Sequence, residues 1–374
     1  MRLTQNNVRS LESQAASERG RLSCALSLRR SLALASRFAF TLALLLLLAP
    51  NSFLASFAST PSHPRPASIN TSSLEKKSGA RAREGESAAF DGERAFAHVK
   101  RIVEMGPRPA GSPESAETRR YIVRELKSYG LKVSTDEFNA STPIGARRMA
   151  NVLAELKGES AERIVVASHY DTKLFKEFRF VGANDAGSST GALLELARTL
   201  SSAPRRPRFT YWFVFFDGEE AFCRSWDECS TSDAPDNTYG SRRLVSQLKK
   251  RDELRRVRAL VLLDMIGYKN LELPRDASST RWLVDVIWET ARELGHAAQF
   301  VRREEAIGGD DHEPFMREGV DAVDIIQLTS YPYWHTAEDT LDKISPRSLQ
   351  IVGDVVAASL PRIEERLSRA SSKN

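Results

Sequence analysis

Glu219 and Glu220 stand side by side just after a run of apolar and aromatic residues, Phe209 to Phe216, with Asp217 and Gly218 between. The run reads as a buried strand, so the two acids fall where that strand stops. Side chains alternate along extended backbone, and both acids can face one site only if the chain turns. Gly218 permits the turn. Two carboxylates at a strand end suit a hard or borderline cation together with a general base. Taken alone, the pair reads equally as a solvated loop, because Glu is mostly exposed.

The same kind of residue recurs at other strand ends. His169 and Asp171 follow the short apolar strand Ile164 to Ala167, and Asp264 ends Val257 to Leu263. His335 comes one loop after Val320 to Gln327. Asp185 lies in Gly182-Ala183-Asn184-Asp185, which opens a helix, so a plain N-cap is its alternative reading. Of the six His, His63, His98 and His296 are expected at surface or structural positions, and His169, His312 and His335 in crevice loops. Together Asp185, Glu219, Glu220, Asp264 and His335 form a candidate zinc site.

The elements that must position them alternate strand and helix. Helical spacing covers Ala95 to Met105, Ser115 to Tyr129, Gly187 to Leu200, Tyr239 to Leu248, Thr280 to Leu294, a short piece at Asp311 to Glu318, and Pro346 to Leu367. Leu131 to Phe138 and Ala150 to Leu156 read as further strands. The pattern predicts a single α/β domain with a mostly parallel, mixed central sheet and helices on both faces. Ligands of such sheets bind outside the carboxyl ends of the strands.

The domain is expected over 90–367, with 368–374 as a tail. Residues 1–58 read as an export leader: seven Arg against two Glu, an apolar core at 38–49, and the small-residue exit Ser56-Phe57-Ala58. Cleavage near Ala58 and retention as an anchor are both open, though the apolar run is shorter than the roughly 20 residues of a spanning helix. Residues 59–89, rich in Ser, Ala, Pro and charge, read as a disordered linker. The leader accounts for the whole +5 net charge of the 374-residue chain. The high pI therefore gives no support for nucleic-acid binding. An exported protein is expected, with membrane contact only through an uncleaved leader, and a monomer. Cys223 and Cys229, six apart, could close a disulfide or remain free thiols.

The ordered motifs His169-Tyr170-Asp171, Gly182 to Asp185, Asp217 to Glu220, Leu263 to Gly267 and Trp334-His335-Thr336 resemble those of the zinc-dependent aminopeptidase family. Within it the chain is most similar to the animal-type glutaminyl-peptide cyclotransferases. That similarity rests on Glu219 to Phe222 with Trp226 soon after, Tyr239 to Arg242, Asp310-Asp311-His312 before Pro314-Phe315, and Trp334 beside His335. The resemblance implies one Zn2+ held by Asp185, Glu220 and His335, with Glu219 as general acid/base and Asp264 and Asp310 as carboxylates near it. It implies that Trp226, Trp334 and Tyr333 wall a pocket for the N-terminus of a peptide or protein. Asp324 falls where the animal proteins look like they carry His. The activity implied is conversion of N-terminal glutamine to pyroglutamate with loss of ammonia. The alternative is an aminopeptidase with two Zn2+ ions, in which His169 and Asp264 hold the second.

Overall fold

The computed structural model describes residues 89–371. The leader and nearly all of the linker lie outside the described residues. In chain order the main elements are α1 (Gly92–Glu104), α2 (Pro113–Ser128), β1 (Lys132–Thr142), β2 (Gly145–Leu156), β3 (Arg163–His169), α3 (Ser189–Ser201), β4 (Thr210–Phe216), α4 (Tyr239–Lys250), β5 (Val257–Asp264), β6 (Leu273–Asp276), α5 (Arg281–Glu293), β7 (Phe300–Glu305), α6 (Glu313–Met316), β8 (Ala322–Ile326) and α7 (Pro346–Ser371). Local chemistry sets the helix ends. Asp91 caps α1 by accepting from the Glu93 and Arg94 amides. Ser112 caps α2 ahead of Pro113, and Gly130, at φ +77°, stops it.

The main sheet has the order β1-β2-β4-β3-β5-β8. β1 and β2 pair antiparallel, as do β2 and β4. From β4 through β3 and β5 to β8 all pairings are parallel. This is the mixed, mostly parallel α/β domain that the pattern predicts. Alternate residues of the parallel strands go to opposite faces, as the pleat requires. Ile164, Val166, Phe213, Phe215, Val261 and Val323 join the core beneath α1, α3, α5 and α7. Val165, Ala167, Val214, Phe216 and Leu262 join a smaller core with α4 and α6 residues. Covering both faces explains why β4 is buried at every position. Each large aromatic there contributes about 1.5–3 kcal/mol by burial.

Two features differ from the sequence reading. β6 and β7 form a separate two-stranded parallel sheet in segments whose Pro and charges, Leu-Pro-Arg-Asp and Phe-Val-Arg-Arg-Glu-Glu, carry no strand signal. α7 continues to Ser371, past the end of its apolar periodicity.

Candidate active site

The parallel pairing puts the carboxyl ends of β3, β4, β5 and β8 on one edge, and the acids and histidines meet there. Gly218 makes the expected turn at φ +74°. A Cβ at that position would lie 2.6 Å from the Met149 sulfur, so glycine is required by space as well as by conformation. The turn is held by Asp171, whose two carboxylate oxygens accept from the Glu219 amide (3.2 Å) and the Glu220 amide (3.3 Å). Asp185 is no helix cap. It sits in a wide turn, Ala183–Ser188, ahead of α3, with extended backbone at φ −107° and ψ 93°. Asp339 fixes that turn by accepting from the Asn184 and Asp185 amides and from the Tyr331 hydroxyl.

Asp185, Glu220 and His335 converge. His335 Nε2 lies 3.0 Å from Glu220 Oε1 and 3.4 Å from Asp185 Oδ2. Ligands of a tetrahedral zinc at about 2.1 Å stand roughly 3.4 Å apart, so the three donors have the spacing of one ion. Glu220 Oε2 is buried without a hydrogen-bond partner. Lys173 Nζ lies 3.8 Å from it while donating to the Ala221 carbonyl at 2.7 Å. His335 has left-handed backbone, φ +55°, and its ring is stacked by Trp334 at 4.2 Å and met edge-on by Phe175 and Phe180.

His169 is fully buried beside this group. Its Nε2 lies 3.2 Å from Asp264 Oδ1 and 3.3 Å from Asp185 Oδ1, and these three form a second set of donors. Asp264 thus engages His169, the pair that the two-ion alternative names. Electrostatics separate the groups further. Burial raises the Glu219 carboxyl well above the usual range; His169 opposes this, while Glu220, Asp310 and Asp311 add to it. Burial raises Asp264 to about 7 against the pull of His169. For Asp185, burial favours the neutral acid, but hydrogen bonds from His169 and His335 outweigh it and hold the carboxyl below the usual range. For His335, burial disfavours the charge, but Glu220 and Asp185 prevail and lift it to about 10.

A cleft of about 630 Å³ opens over these groups. Asp185, Glu219, Glu220, Asp264, Asp310 and His335 line it, and Trp226 and Trp334 form walls. Trp334 is 41% exposed at the mouth. Tyr333 is not among the lining residues. It packs on Tyr268 and Tyr331, with Lys343 over its ring, because the turn before His335 directs Trp334 to the cleft and its neighbour to an aromatic cluster. Trp226 sits in the seven-residue loop closed by a Cys223–Cys229 disulfide. Of the other histidines, His98 is buried between Tyr121 and Tyr129, a structural role.

Asp171, Lys173 and Asp339 were not singled out as site residues by sequence. Each acts on backbone amides, a carbonyl or a ligand across the fold, and no local motif announces it. The strand-end position of Asp171 was the one available signal.

Residues 151–360 match Peptidase family M28. The chain is 30% identical over 279 residues to a glutaminyl-peptide cyclotransferase of Bos taurus, covering 66% of this chain and 75% of the relative. It is similar to a crystal structure of Acidobacteriales bacterium glutaminyl cyclase at 38% identity and TM-score 0.69, covering 76% and 98% of the two chains. A Bacteroides thetaiotaomicron glutaminyl cyclase bound to N-acetylhistamine matches at 25% identity and TM-score 0.67, covering 74% and 99%. With the match spanning more than half its length, the chain belongs to Peptidase family M28.

Proposed function

We propose that the protein converts the N-terminal glutamine of peptides and proteins to pyroglutamate with release of ammonia. The observation that carries this is the position of Glu219, directly beside the ligand candidate Glu220, in a cleft walled by Trp226 and Trp334. The cyclotransferase relatives support the same reading.

The donors Asp185, Glu220 and His335 fit zinc in type, spacing and burial. Bound there, the ion would polarise the substrate's γ-carboxamide carbonyl and stabilise charge developing on its oxygen. The chain's own groups handle the proton. The substrate's α-amine nitrogen bonds to the side-chain amide carbon and gives a proton to Glu219. Glu219 returns that proton to the amide nitrogen as its bond to carbon breaks. Ammonia leaves and the five-membered lactam remains. A carboxyl raised by burial holds the proton between the two transfers. Trp226 and Trp334 enclose the glutamine side chain, and the open mouth lets the peptide trail into solvent.

Incubation with a glutaminyl peptide and a leucyl peptide tests the proposal. Ammonia without free amino acid is expected from the first, and no leucine from the second. Leucine release would favour an aminopeptidase with two ions and a water nucleophile, a reading that the donors His169, Asp185 and Asp264 support. The proposal extends to location. The leader pattern and the Cys223–Cys229 disulfide both suit an exported protein in an oxidising compartment.

A further inference from the structure

Behind the cleft wall, β8 and the segment before α6 bring together donors that the proposed reaction does not employ as ligands. His312 is fully buried. Its Nε2 lies 3.5 Å from Asp276 Oδ2 and 3.5 Å from the Ser278 hydroxyl. Asp276 is fixed as an acceptor by the Ser278 and Ile307 amides and the Ser279 hydroxyl. This carboxylate draws the ring proton to Nε2 and leaves the Nδ1 lone pair facing Asp310 and Asp324. A histidine oriented by a carboxylate on its far nitrogen is the arrangement metal ligands adopt.

The near side lacks donors. His312 Nδ1 is buried without a hydrogen bond, both Asp324 oxygens and Asp310 Oδ2 receive none from a fixed donor, and the two carboxyls can bond only to each other, by sharing a proton. His312 Nδ1 and Asp324 Oδ2 are 3.9 Å apart, too far for a hydrogen bond. A contraction of about 0.5 Å would give the roughly 3.4 Å between two ligands of one tetrahedral zinc. Donor atoms of Asp310, His312 and Asp324 all lie within 4.8 Å of one another. Buried carboxylates facing a lone pair need positive charge or protons between them.

We propose that Asp310, His312 and Asp324 bind a divalent cation of the zinc class. One imidazole and two carboxylates suit that ion. Asp310 lines the cleft, which provides an entry path. The site shares no residue with the donors Asp185, Glu220 and His335, or with His169, Asp185 and Asp264. The ion would sit behind Asp310, whose charge acts on Glu219.

The test is anomalous diffraction at the zinc edge on crystals of the full exported protein loaded with zinc alone, with metal content counted on the same sample. A peak is expected among Asp310, His312 and Asp324. It should vanish in His312→Gln and in Asp324→Asn, with one ion lost from the count and the cleft peak retained. A wild-type map with no peak there overturns the proposal and assigns protons to the carboxylates. So does a second ion that disappears in His169→Ala and persists in His312→Gln. If a variant fails to fold, the wild-type map decides alone. Turnover of a glutaminyl peptide is read separately, so failure here and failure of the cyclisation reading remain distinct.

Discussion

Two hollows on the surface, similar in size, differ in their means for chemistry. The groove over α5, β6, β7 and α7 is about 730 Å³, larger than the cleft at about 630 Å³. It is lined by ion pairs such as Arg281–Glu304 and Arg292–Glu289. These two pairs are largely exposed, and such pairs are worth little because water serves them almost as well. The cleft has the opposite character. Among the described residues, every buried side-chain polar atom without a hydrogen-bond partner belongs to a residue in the cleft or just behind its wall. Burying unpaired polar groups costs stability, and such a concentration marks a functional region. Volume does not distinguish the hollows; the satisfaction of their polar atoms does.

The largest effect should come from the group that carries the proton. Glu219→Gln keeps the shape and removes the base, so kcat is expected to fall about 10²–10⁴-fold. Zinc content should be unchanged, since the ligand candidates are the neighbouring groups. Retained turnover of a glutaminyl peptide would break the assignment of chemistry to the cleft.

Next in size is the frame around the ligands. Asp339→Asn leaves Asp185 in place but weakens the bonds to the Asn184 and Asp185 amides and the Tyr331 hydroxyl. Removing a group that orients a ligand lowers metal affinity by about 10–100-fold. A chelator titration followed by metal content would show it. Unchanged affinity would mean that the turn before α3 holds Asp185 without help.

A smaller effect is expected at the cleft wall. Replacing both Cys223 and Cys229 by Ser opens a seven-residue ring and frees Trp226. Ordering one side chain on binding costs about 0.5–1.5 kcal/mol, so KM should rise roughly 2- to 12-fold with kcat little changed. Loop closure also contributes about 2 kcal/mol of stability, readable as a lower Tm. A fall in kcat instead would place Trp226 closer to the reacting atoms than a wall.

How much of this could be read beforehand follows the same division. The turn at Gly218 and the convergence of Asp185, Glu220 and His335 were legible, because strand-end positions and motif order report what lies at one edge of a parallel sheet. The N-cap alternative for Asp185 fails because its carboxylate turns to His169 and His335, far along the chain, and not to the amides that open α3. The resemblance puts Tyr333 in the pocket with Trp334, yet successive residues in a turn face different ways. Asp264 meets His169, the pairing that the two-ion alternative has, and lines the cleft together with Glu219. The cysteine pairing was open because a spacing of six does not fix the 6.1 Å between the Cα atoms. What escapes a sequence reading is contact between distant segments that is made through backbone amides.

The smallest effect is expected in the groove, and it is the sharpest test of the contrast. Arg292 pairs with Glu289 one turn away on α5, both about half exposed. Replacing both by Ala removes a solvated pair together, leaving no charge stranded. Tm and kcat/KM on a short glutaminyl peptide should both stay within error of wild type. A longer, acidic glutaminyl peptide is the discriminating substrate. If the double variant loses rate on it while keeping the short one, the groove holds bound peptide at a distance from the cleft. Solvated surface charge would then be a recognition element, and unsatisfied polar atoms would no longer suffice to tell a working hollow from an idle one.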